Sequence, residues 1–291
     1  MGALEGRVAI ITGAGRGLGR EHALLFAREG AKVVVNDVGG SADGTGADRG
    51  PAQEVVDEIR ALGGEAVAST DSVADWEAGR RLVDLAVETF GDLDILVNNA
   101  GILRDRALVN MTEEEWDSVI TVHLKGHFVP TRWAASYWRE QSKAGVTKRR
   151  NVINTSSTSG LLSNPGQSNY GAAKSGIATF NQIIAKELSR YQVCCNTIAP
   201  AARTRLTEAT PGVSDVVQPP EDPDAFDIWD PAYVSPLVAY LASADCAFNG
   251  ATFYVQGGTV KLFRSWEFGE GVEQQERWTV AGLAEALGKL V

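Results

Sequence analysis

Short apolar runs alternate with longer amphipathic stretches from the first strand onward, and this rhythm restricts the chain to very few architectures. RVAIIT (7–12) is followed by an amphipathic segment at 17–29, KVVVND (32–37) by 51–62, EAVAST (65–70) by 74–90, and then comes LDILVNN (93–99). Strands that read as continuous hydrophobic runs are covered on both faces, which in βα repeats means a parallel sheet between helical layers. The rhythm continues through a helical stretch from near Thr112, the strand RNVINTSS, a helix from about Asn169 to Tyr191, and the strands QVCCNTIA and ATFYVQGG. The expected fold class is therefore α/β: one doubly wound parallel sheet of about seven strands with helices on both faces.

A chain of 291 residues falls in the range of one large α/β domain, so residues 1–291 are expected to form a single unit. Its 27 basic and 37 acidic residues give a formal charge of -10, which offers no attraction to nucleic acid or an anionic membrane. No run approaches the roughly 20 apolar residues of a membrane span. The start MGALEGRVAIITGAG lacks the layout of a signal peptide, and a soluble cytoplasmic protein is expected. Cys194 and Cys195, adjacent on a strand, should point to opposite faces as small apolar fillers. No metal site is expected.

Two segments break the rhythm at the carboxyl ends of strands, where open α/β sheets bind ligands. One is the glycine-rich GGSADGTGADRGPAQ after the second strand; the other is 203–231, rich in Pro and Asp and expected to act as a substrate lid. Between the first strand and its helix stands TGAGRGLG, Thr12 to Gly19. Glycines at such a junction let the backbone approach a phosphate, and the helix start supplies free N–H groups to hold it. The second strand ends in Asp37, near the spacing at which an acid takes the ribose hydroxyls of NAD and repels the extra phosphate of NADP. Arg16 within the turn pulls the other way, but NAD is the expected cofactor and NADP the less favoured one.

NNAG follows the fourth strand, and Tyr170 and Lys174 stand at i and i+4 in NYGAAKSG, with Ser157 upstream in NTSSTSG. With the T-G-x-x-x-G-x-G turn, these motifs resemble the classical short-chain dehydrogenase/reductase family over nearly the whole chain. The resemblance implies a Rossmann-like fold and an oxidoreductase acting on CH–OH groups. Tyr170 and Lys174 share a helix face, so the ammonium and the positive nicotinamide of an oxidised cofactor would stabilise the phenolate and make Tyr170 the general acid/base. Lys174 would also hold nicotinamide ribose hydroxyls. Ser157 would donate to the substrate oxyanion, with neighbouring Ser156 the competitor.

The carry-over places Gly13, Arg16, Gly17, Leu18, Gly19, Asp37, Asp71, Ser72, Asn98, Ala100, Gly101, Tyr170, Lys174 and Pro200 along the cofactor. Where the family often has an asparagine that holds a water in the proton path, VITVHLKGHF puts His123, another group able to relay protons.

VNDVGG, NNAGILRDR, VHLKG, GQSNYGAAK, CNTIAP and RLT together resemble the (3R)-hydroxyacyl-CoA dehydrogenase module of peroxisomal multifunctional enzyme type 2 and its bacterial relatives, from about Gly6 to Lys261. That resemblance implies an acyl-CoA substrate in fatty-acid or sterol side-chain β-oxidation. A hydroxysteroid or alicyclic alcohol dehydrogenase, an NADPH-dependent 3-oxoacyl reductase and a non-catalytic nucleotide sensor are the alternatives. The chain departs from the family in following Pro200 with Ala201 and Ala202, and in carrying Glu221, Asp222, Asp224, Asp227 and Asp230 in a loop near a phosphate-bearing substrate. Arg104, Arg106, Arg203 and Arg205 are the candidate cations for those phosphates. The extension 259–291, with Phe263, Trp266, Phe268 and Trp278, is expected to pack on the body or on a second subunit. A homodimer or homotetramer formed through the two long helices near the active site is expected.

Overall fold

The computed structural model describes residues 2–46, 48, 50–208, 215–222, 225–264 and 266–290. Within them runs one eight-stranded sheet: β1 (Val8–Thr12), β2 (Lys32–Asn36), β3 (Ala66–Ser69), β4 (Ile95–Asn98), β5 (Arg150–Thr155), β6 (Val193–Pro200), β7 (Thr252–Gln256) and β8 (Thr259–Leu262). Their order is β3-β2-β1-β4-β5-β6-β7-β8. The first seven are parallel, as the alternation requires, and the order reverses direction between β1 and β4, so their carboxyl ends open a crevice there.

Successive side chains on each strand enter different layers. Ala9 and Ile11 of β1 pack with Phe26 of α1 (Gly17–Arg28), Val56 and Ile59 of α2 (Gly50–Ala61) and Leu241 of α8 (Ser235–Ala242). Val8 and Ile10 pack on the other face with Leu82 of α3 (Trp76–Phe90), Trp138 of α5 (Gly126–Lys143) and Leu188 of α6 (Ser168–Leu188). Cys195 is buried in this second core while Cys194 is only partly covered, the opposition expected of neighbours on a strand.

Two features differ from the sequence reading. The helical stretch after Thr112 is two helices, α4 (Glu113–Ile120) and α5, joined by a π-helical turn at Thr121–Lys125; a second such turn, Ser159–Ser163, follows β5. The eighth strand is the other difference. The two glycines 257 and 258 close a tight turn, with Gly257 at φ +49, and fold the first residues of the expected extension back as an antiparallel edge strand. After it, Trp266 and Phe268 stand exposed instead of packing on the body, and no residue of α9 (Val280–Leu287) is buried. Among the described residues, no helix is long and apolar enough to cross a membrane.

Candidate active site

At the β1–α1 junction Gly13 and Gly17 hold φ of +63 and +53, the left-handed region that favours glycine. A Cβ on Gly13 would lie 2.7 Å from the Ala100 Cα, and one on Gly19 would lie 2.2 Å from the Gly13 carbonyl oxygen. The turn is thus packed too tightly for side chains. Arg16, at the cap position of α1, makes no side-chain hydrogen bond to the helix, and the first turn carries no acid. Gly17 and Leu18 at its start line the crevice, and the free N–H groups of a helix start suit an anion. Gly19→Ala is expected to cost about 1–3 kcal/mol through overpacking, read as a lower midpoint in urea unfolding. Unchanged stability would mean that the turn is looser than described.

At the end of β2 the Asp37 carboxylate is fixed by two backbone donors, Gly15 N–H to Oδ2 at 2.9 Å and Gly39 N–H to Oδ1 at 2.7 Å. It therefore stands against the glycine turn with its charge in place. Arg205, on the short helix α7 (Arg205–Glu208), has its guanidinium held below its ordinary range by burial and then by the nearby charge of Arg16, while Asp37 acts in the opposite sense.

A crevice of about 320 Å³ joins these groups. Gly13, Arg16, Gly17, Leu18, Asp37, Ser72, Ala100, Gly101, Tyr170, Lys174 and Pro200 line it, and His123 and Ser156 line it too. Gly19, Asp71, Asn98 and the candidate catalytic Ser157 are not part of its lining. The Asp71 carboxylate is taken by Arg81 at 2.5 Å. Asn98 is buried, donating to Thr131 Oγ1 and Asn154 Oδ1 at 2.9 Å each, so it ties β4 to β5 and α5. Its neighbour Asn99 faces the crevice and secures the glycine turn through Thr12 O and Gly13 O at 3.0 and 3.1 Å. Asn36 also lines the crevice and donates to Asp71 O at 2.9 Å. Neither asparagine is among the residues expected from sequence, although Asn99 lies inside the NNAG motif.

The deep end is built by α6. Lys174, almost wholly buried, donates from Nζ to Thr155 O at 2.6 Å, and its Nζ lies 5.5 Å from the centre of the Tyr170 ring. Burial lowers this amine from its ordinary 10.5 to about 7. Burial raises the Tyr170 phenol to about 12; a hydrogen bond with Ser157 pulls it back, and the Asp105 carboxylate adds to the rise. Ser156, the competitor, spends its hydroxyl on Lys174 O at 2.7 Å, so Ser157 is the serine that meets the phenol.

His123 is carried inward on the first π-helical turn, its ring edge-on to Tyr170 at 5.1 Å. Its Nε2 is tied to the backbone of Ile102, 2.7 Å from O and 3.1 Å from N, while Nδ1 is buried without a hydrogen-bond partner. Burial, then the Lys174 charge, hold the imidazole well below its usual range, so it is neutral at pH 7.

Three of the four candidate cations are already paired. Arg104 meets Glu114 at 3.2 Å and Arg106 meets Glu115 at 2.8 Å. Arg203 pairs with Asp227 and donates to Val217 O at 2.9 Å, which ties it to both. Asp230 caps the helical turn at Pro231–Val234, Glu221 and Asp222 are exposed, and Asp224 lies outside the described residues.

A profile described as short chain dehydrogenase matches residues 7–214. The chain is 47% identical over 247 residues to the peroxisomal multifunctional enzyme type 2 of Drosophila melanogaster, covering 85% of this chain and 38% of that enzyme. It is 45% identical over 265 residues to a hydroxyacyl-CoA dehydrogenase of Mycobacterium tuberculosis, covering 89% of this chain and 80% of the other. A crystal structure of a short chain dehydrogenase from Mycobacterium avium superposes with a TM-score of 0.86 at 49% identity, covering 99% and 96% of the two chains.

Proposed function

The chain belongs to the short-chain dehydrogenase family and is an oxidoreductase acting on CH–OH groups, and on that premise we propose that it oxidises (3R)-3-hydroxyacyl-CoA to 3-oxoacyl-CoA with NAD. The observation that carries this reading is the placing of Tyr170 and Lys174 at one end of a crevice, with Ser157 acting on the phenol, and of a glycine cradle beside a fixed acid at the other.

The residues present fit a nicotinamide dinucleotide. The glycine turn and the open start of α1 suit its pyrophosphate, and the Asp37 carboxylate suits the adenosine ribose hydroxyls. The nicotinamide ring supplies the hydride acceptor when bound. At about 4 Å, like charges repel by about 4 kcal/mol in the intermediate dielectric of a protein surface, so Asp37 disfavours a 2′-phosphate. Arg16 and Arg205 oppose this only partly, since Asp37 is held rigidly by the backbone and their side chains are long.

In the chemical step Tyr170 Oη takes the hydroxyl proton as the substrate carbon gives up its hydride. A phenol held near 12 is neutral at pH 7 and a poor base, so a charged Lys174 and the positive ring of the oxidised cofactor must bring it down. Ser157 donates to the substrate oxygen and shares that oxygen with the phenol. Neutral His123, edge-on to the phenol with a free Nδ1, suits a water-mediated proton path.

An apolar-tailed substrate accords with exposed apolar side chains on the segments that follow β4 and β5. Leu108, Val109 and Leu162 are 70, 90 and 68% exposed on the segments that follow β4 and β5. A homodimer or homotetramer is part of this reading, supported by exposed Trp76, Phe128 and Ile183 on α3, α5 and α6.

The test is substrate-dependent formation of NADH or NADPH across (3R)-3-hydroxyacyl-CoAs of rising chain length and a set of hydroxysteroids. The expected result is acyl-CoA oxidation with NAD at least about tenfold more efficient than with NADP, about 1.4 kcal/mol in transition-state terms. Turnover confined to steroids, or to NADPH-driven reduction, would replace this reading with one of its competitors.

A further inference from the structure

The loop after β2 does not stay on its own side of the sheet. β2 and β4 are separated by β1, yet Leu103 N–H donates to Ala42 O at 3.0 Å and Arg104 Nε–H donates to Asp43 O at 2.9 Å. Residues 38–46 thus bridge to the segment after β4, above the glycine turn that follows β1, and Gly40, Ser41 and Gly44 form part of the crevice wall. The loop is closed on itself as well, by Ser41 N–H to Thr45 O at 2.8 Å and Asp48 N–H to Val38 O at 3.0 Å. A Cβ on Gly44 would come within 3.0 Å of Ile102 Cδ1, so the bridge sits directly on the β4 side.

Arg104 is where this roof meets the catalytic frame. Its guanidinium holds Asp43 O on one side and Glu114 of α4 on the other. Its own carbonyl accepts from Asn169 Nδ2 at 2.9 Å, and Asn169 Oδ1 accepts from the Tyr170 N–H at 2.7 Å. Asn169 is fully buried, so this frame is rigid.

We propose that Arg104 is a positioning residue: it latches the 38–46 roof over the bound dinucleotide and joins that closure to the start of α6 beside Tyr170. The proposal rests on the reading that the crevice takes a nicotinamide dinucleotide. A molecule lying between glycine turn and roof leaves only when the roof lifts, and lifting breaks the Arg104 bond together with the Leu103 bond. Closure therefore slows cofactor release and keeps the dinucleotide in place during the chemical step. The cation proposed from sequence as a phosphate ligand serves the roof instead.

The experiment is stopped-flow displacement of NADH, followed by nucleotide fluorescence, in the full chain. Arg104→Ala is expected to raise the dissociation rate about tenfold, the loss expected for one hydrogen bond from a charged donor. Arg104→Lys keeps a charge for Glu114 but lacks the Nε–H donor, and is expected to release NADH faster than wild type too. Glu114→Gln removes the ion pair and leaves the latch, so its rate should stay at the wild-type value. Hydrogen exchange of the 38–46 amides, without cofactor, should quicken in Arg104→Ala and not in Glu114→Gln.

Release and exchange at wild-type rates in both Arg104 variants would overturn the latch. Equal acceleration in Arg104→Ala and Glu114→Gln, with none in Arg104→Lys, would also overturn it, because the ion pair would then be the operative contact. Failure of the wild-type protein to bind NADH is a different outcome: it removes the cofactor reading itself.

Discussion

Tyr170→Phe is expected to lower kcat by about two to four orders of magnitude while NADH binding persists. The substitution removes one oxygen and leaves the ring, so the edge-on contact with His123 at 5.1 Å and the packing of α6 stay as they are. The lost hydroxyl bonds only with Ser157 among the groups that act on its ionisation, and it is a partly buried group at the crevice wall. Fold stability should therefore be nearly unchanged, since a partly solvated hydroxyl at a crevice wall contributes little net. Kinetics, NADH titration and urea unfolding of one preparation separate the possibilities. A variant that keeps more than about a tenth of wild-type turnover would show that another group exchanges the proton.

Acid should destabilise the folded protein steeply, starting near pH 6.5. All three histidines of the chain are buried: His22, His123 and His127. Burial lowers His22 from 6.5 to about 3; His127 falls to about 3 as well, through burial and then the Lys174 charge. His123 is lowered in the same direction. A lowered imidazole is neutral when folded and protonated when unfolded at any pH between the two values. Its stabilising contribution is present above 6.5 and is lost as pH falls towards 3.

At pH 5 His22 and His127 each remove on the order of 2 kcal/mol and His123 acts in the same direction, a sum that is a large fraction of the stability of an ordinary domain. Lys174 acts in the same sense at higher pH: with about 7 in the folded state against 10.5, its contribution grows as pH rises from 7 to 10.5. Urea midpoints at pH 8, 7, 6 and 5 are expected to fall sharply below 6.5. His22→Asn, remote from the crevice and bonded through Nδ1 to Ser235 Oγ at 2.8 Å, should make that fall shallower. A flat profile down to pH 5 would mean that the histidines are solvated or paired in solution.

How much of this was legible beforehand follows from the range of the interactions involved. Strand alternation is local, so the partition of Ala9 and Ile11 from Val8 and Ile10, and with it the parallel sheet, could be read directly. The glycines of the turn were legible for the same reason: left-handed φ and close approach exclude other residues.

The pair Asn98 and Asn99 was not resolved, because whichever asparagine faces the crevice depends on where β4 stops pairing, and composition is silent on that. The π-helical turn at Thr121–Lys125 inserts a residue without a sequence signal and turns one apparent helix into two. β8 escaped because all four of its residues are exposed and carry no apolar run. Charge partners were the least legible. Asp71 is claimed by Arg81, Arg203 by Asp227, and Arg104 by a roof that reaches across a strand, each chosen by the fold from many possible pairs.

A crystal structure of the chain with NAD would show whether a nicotinamide dinucleotide lies from Asp37 to Tyr170. The adenosine ribose is expected within hydrogen-bond distance of the Asp37 carboxylate, the pyrophosphate over Gly13–Gly19, and the nicotinamide beside Tyr170 and Lys174. A dinucleotide bound elsewhere, or one whose nicotinamide lies away from the Tyr170 oxygen, would contradict it.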